Sequence, residues 1–174
     1  GFGPIGTGSE SFTGTFDGTT HTISNLTVNR SSENNVGLFG AVGNIGTIEN
    51  VTLADANVSG NSDVGALVGE NVGSVDESSA TGNVTGADDV GGLVGYNNEG
   101  TVRESSTSGT VNGTNYVGGL VGRNEEAARV WNSSATGNVS GSARVGGLVG
   151  WNEFSTVRES SASGAVNGSG NRGG

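Results

Sequence analysis

The chain has 174 residues, 17 carboxylates and seven cations, and its net charge of −10 excludes a surface built to track phosphates, so no nucleic-acid partner is expected. It contains no cysteine, which excludes disulfides and thiolate chemistry, and no apolar run of membrane-spanning length, so no membrane insertion is expected in this segment. All seven cations are arginine, and hydrated carboxylates without lysine suit concentrated salt, which suggests a halophilic origin.

The first 21 residues differ in kind from the rest. GFGPIGTGSESFTGTFDGTTH carries Phe2, Ile5, Phe12 and Phe16, with Asp17-Gly18 as a turn between strand-like flanks. This segment (1–21) is expected to cap an exposed first rung. His21 has no acidic or cysteine companion in the sequence and reads as structural.

From residue 22 a period takes over. TISNLTVNR (22–30), TIENVTLAD (47–55), SVDESSATG (74–82), TVRESSTSG (101–109), RVWNSSATG (129–137) and TVRESSASG (156–164) superpose. Their second residues, Ile23, Ile48, Val75, Val102, Val130 and Val157, are separated by steps of 25, 27, 27, 28 and 27. Gly, Pro and Ser fill a third of the chain, a composition that would suggest disorder if it had no period. With one, it points to an all-β parallel β-helix (β-solenoid) of about 27 residues per coil. Three short strands per coil and right-handed winding are expected, with five to six coils over 22–174.

Within a coil, the residue three after the valine runs Leu26, Val51, Ser78, Ser105, Ser133, Ser160, and two further on Val28, Leu53, Ala80, Thr107, Ala135, Ala162. Alternation along a strand places both columns inward, with the serines bonding to neighbouring backbone or to each other. The alternative is a register one residue off, with the serines in water. A short side follows at Val58, Val84, Val111, Val139 and Val166. Next comes the motif VGGLVG, complete at residues 90–95, 117–122 and 145–150. Both Leu38, Leu67, Leu93, Leu120, Leu148 and their successors Phe39, Val68, Val94, Val121, Val149 are apolar. Adjacent strand residues face opposite ways, so either the chain bends between them and buries both, or one column is an outward apolar stripe. The flanking glycines favour the bend. Asn71, Asn97, Asn124 and Asn152 then recur at a corner, where stacked amides can bond along the axis. The terminal GNRGG (170–174) matches the approach to another GGLVG, so further coils, or a partner pairing with an uncapped end, are expected.

VGGLVG followed by x-Asn, and then V-x-x-S-S-A-x-G-x-V, resembles the GLUG motif. FTGTFDGTTHTISNLTV and NVGLFG resemble the segment that leads into such repeats, although NVGLFG is one residue short. The resemblance implies a secreted or surface-anchored, adhesin-like bacterial or archaeal protein. It also links the repeat to some IgA-cleaving metallopeptidases, but their H-E-x-x-H is absent from this sequence.

Chemistry is sparse. Glycoside cleavage needs two carboxylates in a cleft, whereas Asp76, Glu77, Glu104 and Glu159 read as a solvated wall. Asp63, Asp88 and Asp89 at equivalent turns are weak calcium candidates without the spacing of a dedicated loop. Two outward columns are more informative: Glu49, Asp76, Arg103, Trp131, Arg158 and Glu70, Tyr96, Arg123, Trp151. Asp76 is expected to pair with Arg103, Trp131 to lie between Arg103 and Arg158, and Arg123 to be flanked by Tyr96 and Trp151. Either column is a cross-coil staple or a platform for a glycan or a protein. Nine N-x-S/T sequons, at Asn25, Asn29, Asn50, Asn57, Asn83, Asn112, Asn132, Asn138 and Asn167, fit an exported protein open to N-glycosylation. The favoured function is a non-catalytic structural or adhesive module at the cell surface or outside the cell, needing no cofactor. The alternatives are a carbohydrate-binding or carbohydrate-active β-helix, and a head-to-tail filament subunit.

Overall fold

The computed structural model describes residues 2–19, 21–170 and 172–173; Asn171 and Gly174 of the terminal GNRGG lie outside the described residues. Every strand pairing is parallel, and like positions stack coil over coil. The result is a β-solenoid of about five turns, with no helix among the described residues. Hence no helix is long and apolar enough to cross a membrane.

Four walls, rather than the three strands expected, make each circuit. The first wall stacks Thr15–Asp17, Thr47–Glu49, Ser74–Asp76, Thr101–Arg103, Arg129–Trp131 and Thr156–Arg158. The second is the longest, with Thr52–Ser59, Ser79–Thr85 and Ser106–Asn112 at its centre. The third holds Ser62–Gly65, Asp88–Gly91, Asn115–Gly118 and Ala143–Gly146, and the fourth Phe39–Val42, Val68–Asn71, Val94–Asn98, Val121–Glu125 and Val149–Asn152. The extra wall arises because VGGLVG is two strands. The chain bends at Gly92-Leu93, so Leu93 and Val94 are both fully buried. Gly91 is obligatory at this bend: a Cβ there would fall on the carbonyl oxygen of Val94 and 2.7 Å from the nitrogen of Gly122 on the next coil.

The interior consists of rows. Ile48, Val75, Val102 and Val130 form one of them, all fully buried. Val64, Val90, Val117 and Val145 form another, and Leu67, Leu93 and Leu120 line the bend. The second-wall row narrows from Leu53 to Ala80, Thr107 and Ala135. Thr107 satisfies its buried hydroxyl by donating to the Gly119 carbonyl at 2.7 Å. A bulge between Ala80 and Gly82 leads into a stack of glycines, where Gly109 has φ +130° and a Cβ would strike the backbone of Gly82.

The first coil corrects one expected register. Phe16, not Ile23, heads the Ile48 row, and Ile23 stacks on Leu53. Val28 accordingly sits over Val58 instead of Leu53. The apolar spacing of 22–30 imitates the later strands, but the Asp17-Gly18 turn ends the true first-wall strand seven residues earlier. Ile5 and Phe12 bridge to Phe39 and Val42, and the rings of Phe12 and Phe16 lie 5.1 and 5.3 Å from that of Phe39. These aromatics fill the end where the core is widest.

Two polar ladders run through the stack. Each of Ser78, Ser105, Ser133 and Ser160 donates to the carbonyl two residues back, at 2.7–2.8 Å. Each also accepts the N–H of the equivalent residue one coil earlier, at 3.1–3.2 Å. The inward serines thus complete the backbone ladder at a corner where the strands break. At the corner between the fourth and first walls, Asn71, Asn97 and Asn124 donate in turn to the next amide oxygen at 2.8, 2.7 and 2.7 Å. These three asparagines are fully buried. The ladder starts at Asn71 because Val42 occupies the preceding rung, which leaves Asn71 Oδ1 without a donor.

Candidate functional site

The outward residues of the fourth wall stack as expected: Glu70, Tyr96, Arg123 and Trp151 are in register. A second row, just before the third-wall valines, faces them across the corner: Asn35, Asp63, Asp89, Tyr116 and Arg144. All five have left-handed backbone, with φ from 50° to 55°. Asn and Asp adopt this conformation readily, whereas Tyr116 and Arg144 do so at a cost.

Interleaving the two rows offsets that cost. The Arg123 guanidinium lies 5.0 Å from the Tyr96 ring and 5.4 Å from the Tyr116 ring, and that of Arg144 lies 4.9 Å from both Tyr116 and Trp151. Tyr116 meets Trp151 edge to face at 6.2 Å. The stack therefore zigzags, and Arg144 rather than Arg123 covers Trp151. Sequence reading missed Tyr116 and Arg144 because it followed single columns; their signal was a bulky residue where earlier coils carry Asp.

Glu125 anchors the zigzag, accepting from Arg123 at 2.6 Å and from the Tyr96 hydroxyl at 3.2 Å. Burial pushes the Glu125 carboxyl up, but the hydrogen bond and charge of Arg123 outweigh it and hold it below its usual value. Tyr96 is pushed up to about 12, by burial first and then by Glu125.

The corner turns acidic toward the first coils. Asp63 is pushed up to about 6 by burial and then by Glu70, and Asp89 to about 7 by burial and then by Asp63. Asp89 is 7% exposed, and its Oδ1 has no partner. Asp88 lies in the neighbouring row and accepts from Asn115 at 2.6 Å. Among the described residues no group of three or more acidic, histidine or cysteine side chains converges to hold a metal ion, so Asp63, Asp88 and Asp89 do not assemble a calcium cage.

The first wall carries the other column, in register through Glu49, Asp76, Arg103, Trp131 and Arg158. Arg103 pairs with Asp76 at 3.2 Å and reaches Glu104 at 3.6 Å. Arg158 lies 5.4 Å from the Trp131 ring. An open depression of about 380 Å³ lies over Trp131, Arg129 and Arg158. Glu77, Glu104 and Glu159 occupy a left-handed corner position with Asn50 and Asn132, apart from either column.

The sequons gather on the second wall. Asn57, Asn83 and Asn138 share one outward row with Thr110, and Asn29, Asn112 and Asn167 share the row beside it. Asn50 and Asn132 lie near its leading edge and Asn25 beside Ala54 in its middle, and all nine except half-buried Asn50 are exposed.

The motif that builds these walls has a known family. The GLUG motif matches at residues 60–85, 86–112, 113–140 and 141–167. The chain belongs to the GLUG motif family. Each GLUG match begins at the turn before the third wall and ends near the end of the second, so one match is one circuit cut at the same corner. Two relatives share about half of this GLUG chain. One is "Halomucin" of Haloquadratum walsbyi, 48% identical over 83 residues, which are 47% of this chain and 1% of the relative. The other is the "Putative Gly-rich membrane protein" of Evansella cellulosilytica, 40% identical over 82 residues, which are 45% of this chain and 10% of that protein. The chain thus matches only a small part of each relative's length. Among solved structures, a "putative immunoglobulin A1 protease" from Bacteroides ovatus superposes with TM-score 0.73 and 22% identity over 91% of this chain and 52% of that one. At that identity the likeness is one of fold.

Proposed function

We propose that this chain is a rigid, non-catalytic segment of a cell-surface or extracellular protein, a stalk or adhesin section that carries its neighbours at a fixed spacing. One observation carries the reading: buried polar side chains are committed to continuity along the axis. The asparagine ladder runs unbroken from Asn71 to Asn152. The serine ladder adds a second rail at the other end of the first wall, so every coil from Thr47 onward is hydrogen-bonded to the next by side chains as well as by strands. Such a stack resists bending and peeling because no coil can separate without orphaning buried amides. The names of the two relatives, a halomucin and a membrane protein, support a surface setting. The crowding of sequons on one wall fits an exported chain whose second wall bears glycans.

The test uses cells that make the parent protein. Antibody raised against this chain should label intact cells or the secreted fraction. Excising residues 86–112, which joins equivalent positions one coil apart, should preserve display and folding while shortening the segment by one rung, ~4.8 Å. Labelling confined to permeabilised cells, or loss of folding on excising this one coil, contradicts the reading.

A further inference from the structure

Three of the seven arginines lie on the outward side of the first wall, in a protein of net charge −10. The wall changes sign along its length. Its early rungs present Asp17, Glu49 and Asp76, and its later ones Arg103, Trp131 and Arg158 in the same row. Arg129 stands in the adjacent row, between Thr101 and Thr156.

Four other arginines have partners close by. Arg30 pairs with Glu33, Arg123 with Glu125, and Arg144 is sandwiched between rings. Arg103 is held by Asp76. Arg129 and Arg158 form no ion pair among the described residues, and Arg158 rests 5.4 Å from the Trp131 ring. Both line the open depression over Trp131, with the hydroxyl-bearing residues Thr101 and Thr156 beside it. Trp131 remains 37% exposed.

We infer that this face of the first wall binds an anionic polysaccharide, with a sugar ring on Trp131 and acidic groups on Arg129 and Arg158. The inference deepens the surface-module reading by giving the segment something to hold. The guanidinium fork matches a carboxylate or sulfate with two parallel hydrogen bonds. A tryptophan face accepts the C–H face of a pyranose, and the floor is a flat sheet without the depth to enclose a small molecule. Arg129 and Arg158 lie on neighbouring rungs, ~5 Å apart along the axis and in two different rows, on the order of one sugar residue in an extended chain. That spacing suits a polymer charged at successive sugars, as an oligogalacturonate is.

The experiment is fluorescence titration of the full chain, with Trp151→Phe so that Trp131 reports alone. The probes are an oligogalacturonate, a sulfated galactan oligosaccharide, neutral cellohexaose and a single-stranded DNA oligomer. Expected are quenching of Trp131 by one or both acidic glycans, weakening with salt, and a loss of at least tenfold in Arg129→Thr and in Arg158→Thr. Arg129→Thr copies the residues above and below it, so its fold is safe, and circular dichroism checks both variants. The stronger of the two acidic probes identifies carboxylate or sulfate as the ligand group. Equal binding of cellohexaose, tighter binding of DNA, no binding of either acidic glycan, or unchanged affinity in both arginine variants overturns the inference. None of these outcomes bears on the surface labelling, so the two readings fail separately.

Discussion

Asn97→Ala removes the middle of the asparagine ladder. Asn97 is fully buried, accepts from Asn71 at 2.8 Å, and donates to Asn124 at 2.7 Å and to the Gly100 carbonyl at 3.1 Å. Alanine leaves Asn124 Oδ1 with no donor, while the Gly100 carbonyl keeps the Arg129 N–H at 2.9 Å. One orphaned buried acceptor costs about 1–3 kcal/mol, and each lost bond contributes about 0.5–1.5 kcal/mol. The orphaned acceptor and the two other lost bonds together give about 2–6 kcal/mol. For a chain of this length that corresponds to a fall in Tm on the order of 10 °C. Asn152→Ala is the internal control: Asn152 is exposed, water replaces what it loses, and the expected cost stays below about 1.5 kcal/mol. Urea unfolding followed by both circular dichroism and tryptophan fluorescence measures the difference, and coincident transitions confirm that each variant unfolds as one unit. If Asn97→Ala and Asn152→Ala cost the same within about 0.5 kcal/mol, the ladder does not hold the stack together.

Ser105→Ala should cost about 1–3 kcal/mol, because the Ser78 N–H then loses its acceptor; faster hydrogen exchange at Ser78 is the local readout. Leu120→Ala, at a fully buried bend, should cost about 2–5 kcal/mol in the same urea assay. Stability should fall as pH rises from about 4 to about 7, because the unfolded chain releases the Asp63 and Asp89 protons there while the folded chain retains them. The expected loss is about 1–3 kcal/mol after allowance for solvent screening, and Asp89→Asn should remove most of it. Glu125 acts in the opposite sense: its stabilisation is present above its ordinary value of 4.5 and is lost as pH falls through its lowered one, so a Glu125→Gln variant should lose less stability in acid. Added salt should leave most of the Asp63–Asp89 effect in place, because burial is its largest cause and buried charges are screened little.

The coil period was legible because each circuit returns small and apolar residues to the same place, and burial enforces that return. The serine and asparagine ladders were legible for a related reason: a polar residue repeated at an inward position needs a partner, and the next coil supplies one. The first-coil register was not legible. Ile23 and Val28 alternate like any strand, and only the contact of Phe16 with Ile48 shows which strand belongs to the first wall. The division of VGGLVG into two walls was implied by buried neighbours such as Leu93 and Val94, but the strand count needed the bend to be seen. The Tyr96–Arg123–Tyr116–Arg144–Trp151 zigzag was half visible, since its members alternate between two rows about seven residues apart. The depression over Trp131 depends on which arginines find carboxylates, and side-chain placement alone decides that.

The central claim is that each circuit lays equivalent residues over one another in parallel. Paired nitroxide labels on the outward row Thr15, Thr47, Ser74 and Thr101 test it most directly. The account predicts separations rising by one rung, ~5, ~10 and ~14 Å for the pairs 15/47, 15/74 and 15/101. Separations that do not rise in that order would contradict it.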